Sequence, residues 1–300
     1  MSHNHSHELK NYNNAFAMGV ALNLIFVIIE ASYGIASDSL ALIADAGHNL
    51  SDVFALLLAW GANVIASKKP TEKRTYGFKK ITVMASLMSA ILLLTALGGI
   101  AVEAFGRFDD PQPVHGMTVI LVALIGVVIN TATAFLFISG QKHDLNIKGA
   151  FLHMAADAGV SLGVAIGGVL IIFTGALWLD PAISLLIVAV ILVGTWHLLR
   201  DSVNLSLDAA PSHIDIAGIK RRLTGIKGVC GIHDLHIWGL SASETALTVH
   251  LVVTHHVIDN DFLWDTQKNL HDEFGIDHAT IQVEAWDENT RCMLNCGDCP

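Results

Sequence analysis

Two pairs of ionisable residues lie inside long apolar stretches of this sequence. His48 and Asp52 are four residues apart in residues 38–66, and His153 and Asp157 repeat that spacing in residues 151–169. A spacing of four places both side chains of a pair on one face of a helix, about one turn apart. An Asp near the centre of a membrane-spanning helix costs roughly 3 kcal/mol, so such residues usually face the protein interior and serve a function.

The four side chains together offer two imidazoles and two carboxylates, the tetrahedral set of N and O donors that Zn²⁺ favours. Cobalt and cadmium fit such a set nearly as well. A structural alternative is that each pair is a buried hydrogen-bonded contact between helices. Two pairs with identical spacing favour the metal site, because ionisable groups are rare at that depth. Protonated His and Asp do not bind metal, so metal release and proton binding compete at such a site.

The composition places the chain among membrane proteins. It is 53% hydrophobic and only 15% charged, and its mean hydropathy is +0.54, which is too apolar for an ordinary soluble protein. Residues 15–207 contain six apolar runs, each long enough to cross a bilayer: 15–36, 38–66, 81–105, 117–139, 147–174 and 177–199. We therefore expect six transmembrane helices, with both termini on the same side of the membrane.

Basic residues in the connections predict which side that is. Nine Lys and Arg residues fall at the ends shared with the termini, whereas Arg107 is alone at the opposite ends. The positive-inside rule then places both termini in the cytoplasm. His48 and Asp157 each lie ten residues into their spans, about 15 Å deep and near the midplane. Asp45 lies nearer the outer side, where it belongs either to an exit path or to a wet cavity.

The last third of the chain is polar and acidic. From residue 208 onward it contains 14 Asp and Glu against 6 Lys and Arg. Helical patterns cover residues 214–224 and 259–274, and alternating patterns predict strands at residues 228–240, 244–254 and 279–284. This αββαβ order predicts an α+β cytosolic domain over residues 208–290, with helices packed on a small mixed sheet. The basic residues are too few and scattered to suggest a nucleic-acid partner.

Several motifs resemble those of the cation diffusion facilitator family of zinc transporters. They are SLALIADAGHNLSD in the second run, FLHMAADAGVS in the fifth, YGFKK before the third, and the polar tail after six spans. The resemblance implies a homodimer that exports Zn²⁺ in exchange for H⁺, with His48, Asp52, His153 and Asp157 as its transport-site ligands. It also implies a metallochaperone-like, ferredoxin-like tail that dimerises. Thr82 stands where the family commonly has a Glu, so a salt bridge of that Glu is not expected.

A second group of metal ligands is expected in the cytosolic tail. Relatives of the same layout imply that cytosolic zinc is held by His233, His250, His278 and Glu284. Zinc bound there would be regulatory, stabilising the dimer when cytosolic metal rises.

The end of the chain, residues 291–300, is rich in cysteine. Cys292, Cys296 and Cys299 are three thiols in a reducing compartment, which suits thiolate coordination of Zn²⁺ better than disulfides. Three thiols leave a tetrahedral site one ligand short, and a histidine of the N-terminal tail, residues 1–14, could supply it: His3, His5 or His7. An unliganded terminus is the alternative.

Taken together, the sequence predicts proton-coupled efflux of Zn²⁺ across a bacterial inner membrane, with Cd²⁺ and Co²⁺ as further candidate cargoes. An intramembrane enzyme is disfavoured, because no HExxH occurs and four protein ligands leave no open position on the metal. A membrane-bound metal sensor that signals through the tail without moving ions stays open as an alternative.

Overall fold

In the part of the chain that the structure describes, six long helices precede a small domain of two helices and three strands. The computed structural model describes the backbone of residues 6–137, 145–254 and 260–285, and the side chains of these except residues 6–20, 55, 56, 59, 136, 137, 145–150, 152, 153 and 260. The long helices are α1 (Ser6–Ala36), α2 (Leu40–Ala66), α3 (Ile81–Asp109), α4 (Gly116–Phe137), α5 (Leu145–Thr174) and α6 (Leu179–Ser206). The elements that follow are α7 (Ile216–Thr224), β1 (Val229–Gly239), β2 (Thr245–Val253), α8 (Asn260–Phe274) and β3 (His278–Ala285).

This order confirms the predicted fold class. Within the described residues, four helices are long and apolar enough to cross a membrane: α3, the Gly116–Phe135 part of α4, the Met154–Thr174 part of α5, and α6. Helix α1 adds a shorter apolar stretch, Ala21–Ala36. Many large apolar side chains of these helices are exposed, as expected of surfaces that meet lipid.

The chain divides into two compact units. The first comprises Met1–Leu58 and Ser89–His197, and the second comprises Ala59–Met88 and Leu198–Pro300. The predicted boundaries at residues 14, 207 and 290 remain predictions.

A glycine on α4 allows three helices of the first unit to pack closely. A Cβ atom built on Gly126 would lie 2.6 Å from the ring of Phe26 on α1 and 3.0 Å from the hydroxyl of Ser161 on α5. Only a residue without a side chain fits there, and small residues commonly permit such close packing between membrane helices. Helices α1 and α5 both carry buried polar residues of the site described below, so Gly126 helps to hold that region together.

The N-terminal end of α2 is fixed by a buried carboxylate. Asp180, in the first turn of α6, accepts hydrogen bonds from the Ser39 hydroxyl (2.6 Å) and the Leu40 amide (2.8 Å). Asp38 has φ +56°, and Arg107 of α3 donates to both its carbonyl (2.5 Å) and its carboxylate (2.9 Å). A carboxylate at a helix N-terminus satisfies free amides and complements the helix dipole. The start of α2 is thereby tied to α3 and α6.

In the second unit, the sheet has the predicted mixed topology. The strand order is β1-β2-β3, with β1 and β2 antiparallel and β2 and β3 parallel. Its core includes Ile219 and Leu223 of α7, Leu247 and Leu251 of β2, and Leu270 of α8, all at most 1% exposed. The pairing of β1 with β2 is irregular between residues 233 and 236, and Asp234 there has φ +53°. This bulge sets the direction of the Asp234 side chain, which lies next to a candidate metal site on this sheet.

Thr82 makes a contact that its position in the sequence did not suggest. Its hydroxyl accepts a hydrogen bond from the backbone amide of Ala242 (2.9 Å), in the connection between β1 and β2. Beside it, the Lys79 ammonium pairs with the Glu244 carboxylate of the same connection. The start of α3 is therefore joined to the sheet connection by one neutral and one charged contact.

Candidate metal sites

His48 lies between two aspartates at the first candidate site. Its Nδ1 atom is 3.6 Å from Asp52 Oδ2, and its Nε2 atom is 3.4 Å from Asp157 Oδ1. One ligand atom from each of the three residues lies within 4.8 Å of the others. We call these three residues the membrane triad. One nitrogen and two carboxylate oxygens at these separations could close around one divalent cation.

Two helices supply the membrane triad. Helix α2 carries His48 and Asp52 one turn apart, as their spacing predicted, and α5 carries Asp157. The side chain of Asp157 is 2% exposed, whereas that of Asp52 is 26% exposed. The fourth predicted ligand, His153, lies one turn before Asp157 on α5, and its side chain is outside the described residues. Three of the four predicted ligands are thus brought together.

A buried polar group lies next to the membrane triad. Asp45 of α2 is 0% exposed and accepts a hydrogen bond from the Ser161 hydroxyl of α5 (2.9 Å). The Asn49 amide of α2 donates to the Glu30 carboxylate of α1 (3.2 Å), and both residues are 0% exposed. A part of Asp45 in an exit path remains a prediction. The sequence placed Asp45 near His48 but predicted neither its hydrogen bond with Ser161 of α5 nor that of Asn49 with Glu30 of α1.

The second candidate site is on the sheet of the second unit. His233 of β1 and His250 of β2 are directly opposed across the strands, and their ring centroids are 4.9 Å apart. Glu284 of β3 lies 3.1 Å from His233 Nε2 through one oxygen and 2.9 Å from His250 Nδ1 through the other. We call these three residues the tail cluster; their ligand atoms also lie within 4.8 Å of one another.

The chemistry of the tail cluster fits a metal. His250 Nδ1 is buried and close to Glu284, yet it forms no hydrogen bond with any described residue. Burial raises the pKa of Glu284, but the hydrogen bond and the charge of His233 outweigh that effect, so its pKa is below the ordinary value. An ionised carboxylate facing two imidazole nitrogens is a donor set that Zn²⁺ accepts.

Asp234 lies behind the tail cluster and was missed by sequence reasoning. Its Oδ2 atom is 3.5 Å from His250 Nε2, and its Oδ1 atom is 2.8 Å from His236 Nε2. The hydrogen bond from His236 lowers the pKa of Asp234, and the charges of His236 and His250 act in the same direction. A carboxylate on the outer nitrogen of a metal-binding His orients the ring and fixes its tautomer. The sequence HDLH held the signal, but strict strand alternation would have pointed Asp234 to the opposite face.

Other predicted ligands lie elsewhere. His278 is the first residue of β3 and opposes Ala246 in the sheet. Its ring makes an edge contact with Tyr76, at 5.5 Å between centroids, and the structure does not bring it to the tail cluster. The three cysteines of the chain's end and the N-terminal histidines lie outside the residues whose side chains are described: Cys292, Cys296, Cys299, His3, His5 and His7.

Comparison with known families gives two matches that together span most of the chain. Residues 17–205 match the cation efflux transmembrane domain, and residues 211–286 match the cytoplasmic domain of cation efflux proteins.

Individual proteins match over nearly the full length. The chain is 38% identical to the zinc transporter ZitB of Escherichia coli (strain K12), over 95% of this chain and 93% of that protein. It is 37% identical to the cation efflux system protein CzcD of Alcaligenes sp. (strain CT14), over 95% and 90% respectively. It is also 33% identical to a cadmium, cobalt and zinc/H(+)-K(+) antiporter of Bacillus velezensis, over 99% and 96%.

One solved structure, the metal-bound C-terminal domain of the CzcD transporter from Cupriavidus metallidurans, is 36% identical and covers 24% of this chain and 99% of that one, with a TM-score of 0.22.

Proposed function

The chain belongs to the cation efflux family of membrane metal transporters, and on that premise we propose that it exports Zn²⁺ from the cytoplasm in exchange for protons. The observation that carries the proposal is the membrane triad, in which one imidazole and two carboxylates meet between two apolar helices. Because ionisable groups in such helices are costly, a cluster of three is best explained by a cation that crosses there.

We propose His48, Asp52, His153 and Asp157 as the ligands of the transported ion. The spacing in α5 supports the addition of His153, because it lies one turn from Asp157 on the same helix. Two nitrogen and two oxygen donors suit Zn²⁺, and Cd²⁺ and Co²⁺ are the competing cargoes.

Proton exchange follows from the same donors. A neutral imidazole and ionised carboxylates bind the metal, and proton binding to any of them displaces it. Transport therefore needs only alternating exposure of the site to the two sides, with α2 and α5 moving against their neighbours. No covalent step is required, so the protein acts as a transporter and not as an enzyme.

The tail cluster has a separate part in this proposal. Metal bound by His233, His250 and Glu284 stabilises the tail increasingly as cytosolic metal rises, and the tail mediates assembly of a homodimer. The match to the family's cytoplasmic domain supports this part. The distribution of basic residues supports a cytoplasmic location of both termini.

The test is zinc flux into proteoliposomes under an imposed pH gradient. Native protein is compared with Asp157→Ala, and the matched control is Asp110→Ala, an exposed aspartate in the α3–α4 connection. We expect zinc movement driven by the proton gradient with native and control protein and none with Asp157→Ala.

Absence of zinc movement with native protein would overturn the assignment of zinc as cargo. Cadmium and cobalt are then tested in the same vesicles. Binding of all three metals without flux of any would instead identify a membrane-bound sensor.

A further inference from the structure

Two buried carboxyl groups adjoin the membrane triad without belonging to it. Glu30 of α1 and Asp45 of α2 are both 0% exposed. Glu30 accepts a hydrogen bond from Asn49, which lies one turn after Asp45 on the same face of α2, so the two carboxyl groups are neighbours. We call them the carboxyl pair. A carboxylate can only accept a hydrogen bond, so two ionised carboxylates cannot bond to each other. A hydrogen bond between them requires that one of the two is protonated.

The donors around the carboxyl pair satisfy only one oxygen of each group. The Asn49 amide donates to Glu30 Oε2 (3.2 Å), and the Ser161 hydroxyl donates to Asp45 Oδ2 (2.9 Å). The remaining oxygens, Glu30 Oε1 and Asp45 Oδ1, are buried and receive no hydrogen bond from any described residue. Each carboxyl thus has one oxygen satisfied by a neutral donor and one left over. A single proton held between the two would satisfy both leftover oxygens.

We propose that Glu30 and Asp45 bind one proton between them and that this shared proton is released when metal occupies the membrane triad. The second half rests on the proposed function, because it makes the carboxyl pair a carrier in metal–proton exchange. The first half stands on the buried geometry alone.

The charges around the carboxyl pair give the direction of the coupling. Asp45 lies one turn before His48 on α2, and its donor Ser161 lies one turn after Asp157 on α5. The donors to the pair, Asn49 and Ser161, are neutral. Without metal, the carboxylates of the membrane triad hold the proton on the pair by their negative charge. A divalent cation neutralises that charge, which in a site of low dielectric constant is a large change.

The step balances in charge and in atoms. As metal binds, the O–H bond within the carboxyl pair breaks, the proton passes to water, and the pair changes from one negative charge to two. When metal leaves, a proton returns to the pair by the reverse step. The donors Asn49 and Ser161 lie on the two helices that carry the metal ligands, so a relative movement of α2 and α5 changes the pair and the membrane triad together.

Infrared difference spectroscopy of the full-length protein tests the shared proton directly. Zn²⁺ is added to native protein in lipid, and we expect loss of a band from a protonated carboxyl group that shifts in D₂O. Glu30→Gln and Asp45→Asn should each remove this band, because the new amide donates to the remaining carboxylate in place of the shared proton. Glu103→Gln is the matched control, since Glu103 lies exposed on α3, and it should keep the band.

Calorimetric titration of Zn²⁺ in two buffers of different ionisation enthalpy gives a second measurement. The number of protons released per zinc bound should fall by about one in each pair variant and stay native in Glu103→Gln. A native protein without a zinc-sensitive carboxyl band, or variants that retain both the band and the native proton release, would overturn the carboxyl pair.

The two proposals fail separately. If native protein transports zinc but shows no such band, the carboxyl pair is refuted and the proposed function stands. If the band responds to zinc but no zinc is transported, the shared proton stands, and its role in exchange falls with the proposed function.

Discussion

The membrane triad and the tail cluster use similar ligands on different frameworks. The tail cluster sits on three neighbouring strands, where the pairing of His233 with His250 is fixed by backbone hydrogen bonds. The membrane triad joins α2 to α5 through side chains alone. A site on one sheet keeps its geometry, whereas a site between two helices changes when the helices move. The first framework suits a metal that is retained, and the second suits a metal that is released.

The two sites also differ in the proportion of imidazole to carboxylate ligands. In the membrane triad one imidazole lies between two carboxylates, and in the tail cluster one carboxylate lies between two imidazoles. The tail cluster also has a carboxylate behind a ligand, Asp234, which orients His250. Ligand identity alone therefore does not distinguish the proposed transport site from the proposed regulatory site, whereas the supporting elements do.

The largest expected effect is the difference between the two sites when one histidine of each, His48 or His233, is changed to alanine. His48→Ala should reduce zinc transport by more than about 100-fold, because loss of a ligand exceeds the 10–100-fold typical of changes around one. His233→Ala should reduce transport by less than about tenfold, because in the proposed function the tail acts only by stabilising the assembly. Flux into proteoliposomes measures both. Equal losses in the two variants would remove the distinction between the sites.

The next effect concerns metal affinity of the tail. His233→Ala should weaken zinc binding to the tail of the full-length protein by more than about 100-fold, for the same reason. Calorimetry is performed on protein that also carries Asp157→Ala, so that the membrane site does not contribute. His213→Ala, an exposed histidine before α7, is the control and should bind as before. A native affinity in His233→Ala would exclude the tail cluster as the metal site.

A smaller effect on zinc affinity is expected from changing Asp234, which lies behind the tail cluster. Asp234→Asn removes the charge that orients His250 and should weaken tail zinc binding by about tenfold, the lower end of the range for such residues. His236→Gln, which removes the other partner of Asp234, should leave affinity nearly native. Calorimetry in the Asp157→Ala background again provides the measurement. An Asp234→Asn protein with native affinity would show that His250 is held without it.

The smallest effect is on the pH dependence of stability. Because the pKa of Glu284 is lowered in the folded tail, its ionised form stabilises that tail above the ordinary pKa of about 4.3, and the contribution is lost as pH falls through the lowered value. Glu284→Gln should therefore melt below native protein at pH 7, and the difference should shrink toward pH 3.

Thermal unfolding of the full-length protein with a chelator, followed by near-ultraviolet circular dichroism, measures this difference. Glu273→Gln, which changes an exposed pair with Arg222, is the control and should show little change at either pH. A difference between native and Glu284→Gln that persists unchanged at low pH would contradict the lowered pKa.

Residue spacing predicted the parts of the sites that lie on one element. The four-residue interval placed His48 and Asp52 on one helical face, and apolar runs predicted the long helices. Alternation of apolar and polar residues predicted the two strands on which His233 and His250 lie opposite each other. These features depend on the regular geometry of helices and strands, which is the same in every protein.

Contacts between elements were harder to predict. The hydrogen bond between Asn49 and Glu30 depends on how α1 packs against α2, and Gly126 influences the packing of α1 from α4. The direction of the Asp234 side chain depends on a bulge with a positive φ. The bulge breaks the strand alternation, and no Gly stands at this position to indicate it in the sequence. Thr82 likewise contacts Ala242, which is far from it in the sequence and comes near it only in the folded chain. Tertiary packing determines each of these positions.

The carboxylate of Asp180 at the start of α2 gives that helix the properties of a lever. Hydrogen bonds from Ser39 and Leu40 to Asp180 fix the N-terminal end of α2. His48 lies eight residues beyond Leu40, which gives a lever arm of about 12 Å at 1.5 Å per residue. A tilt of about 10° around this fulcrum would displace the imidazole by about 2 Å, as far as a metal–ligand bond is long. Small rotations at a fixed end are thus sufficient to open the distance between His48 and Asp157.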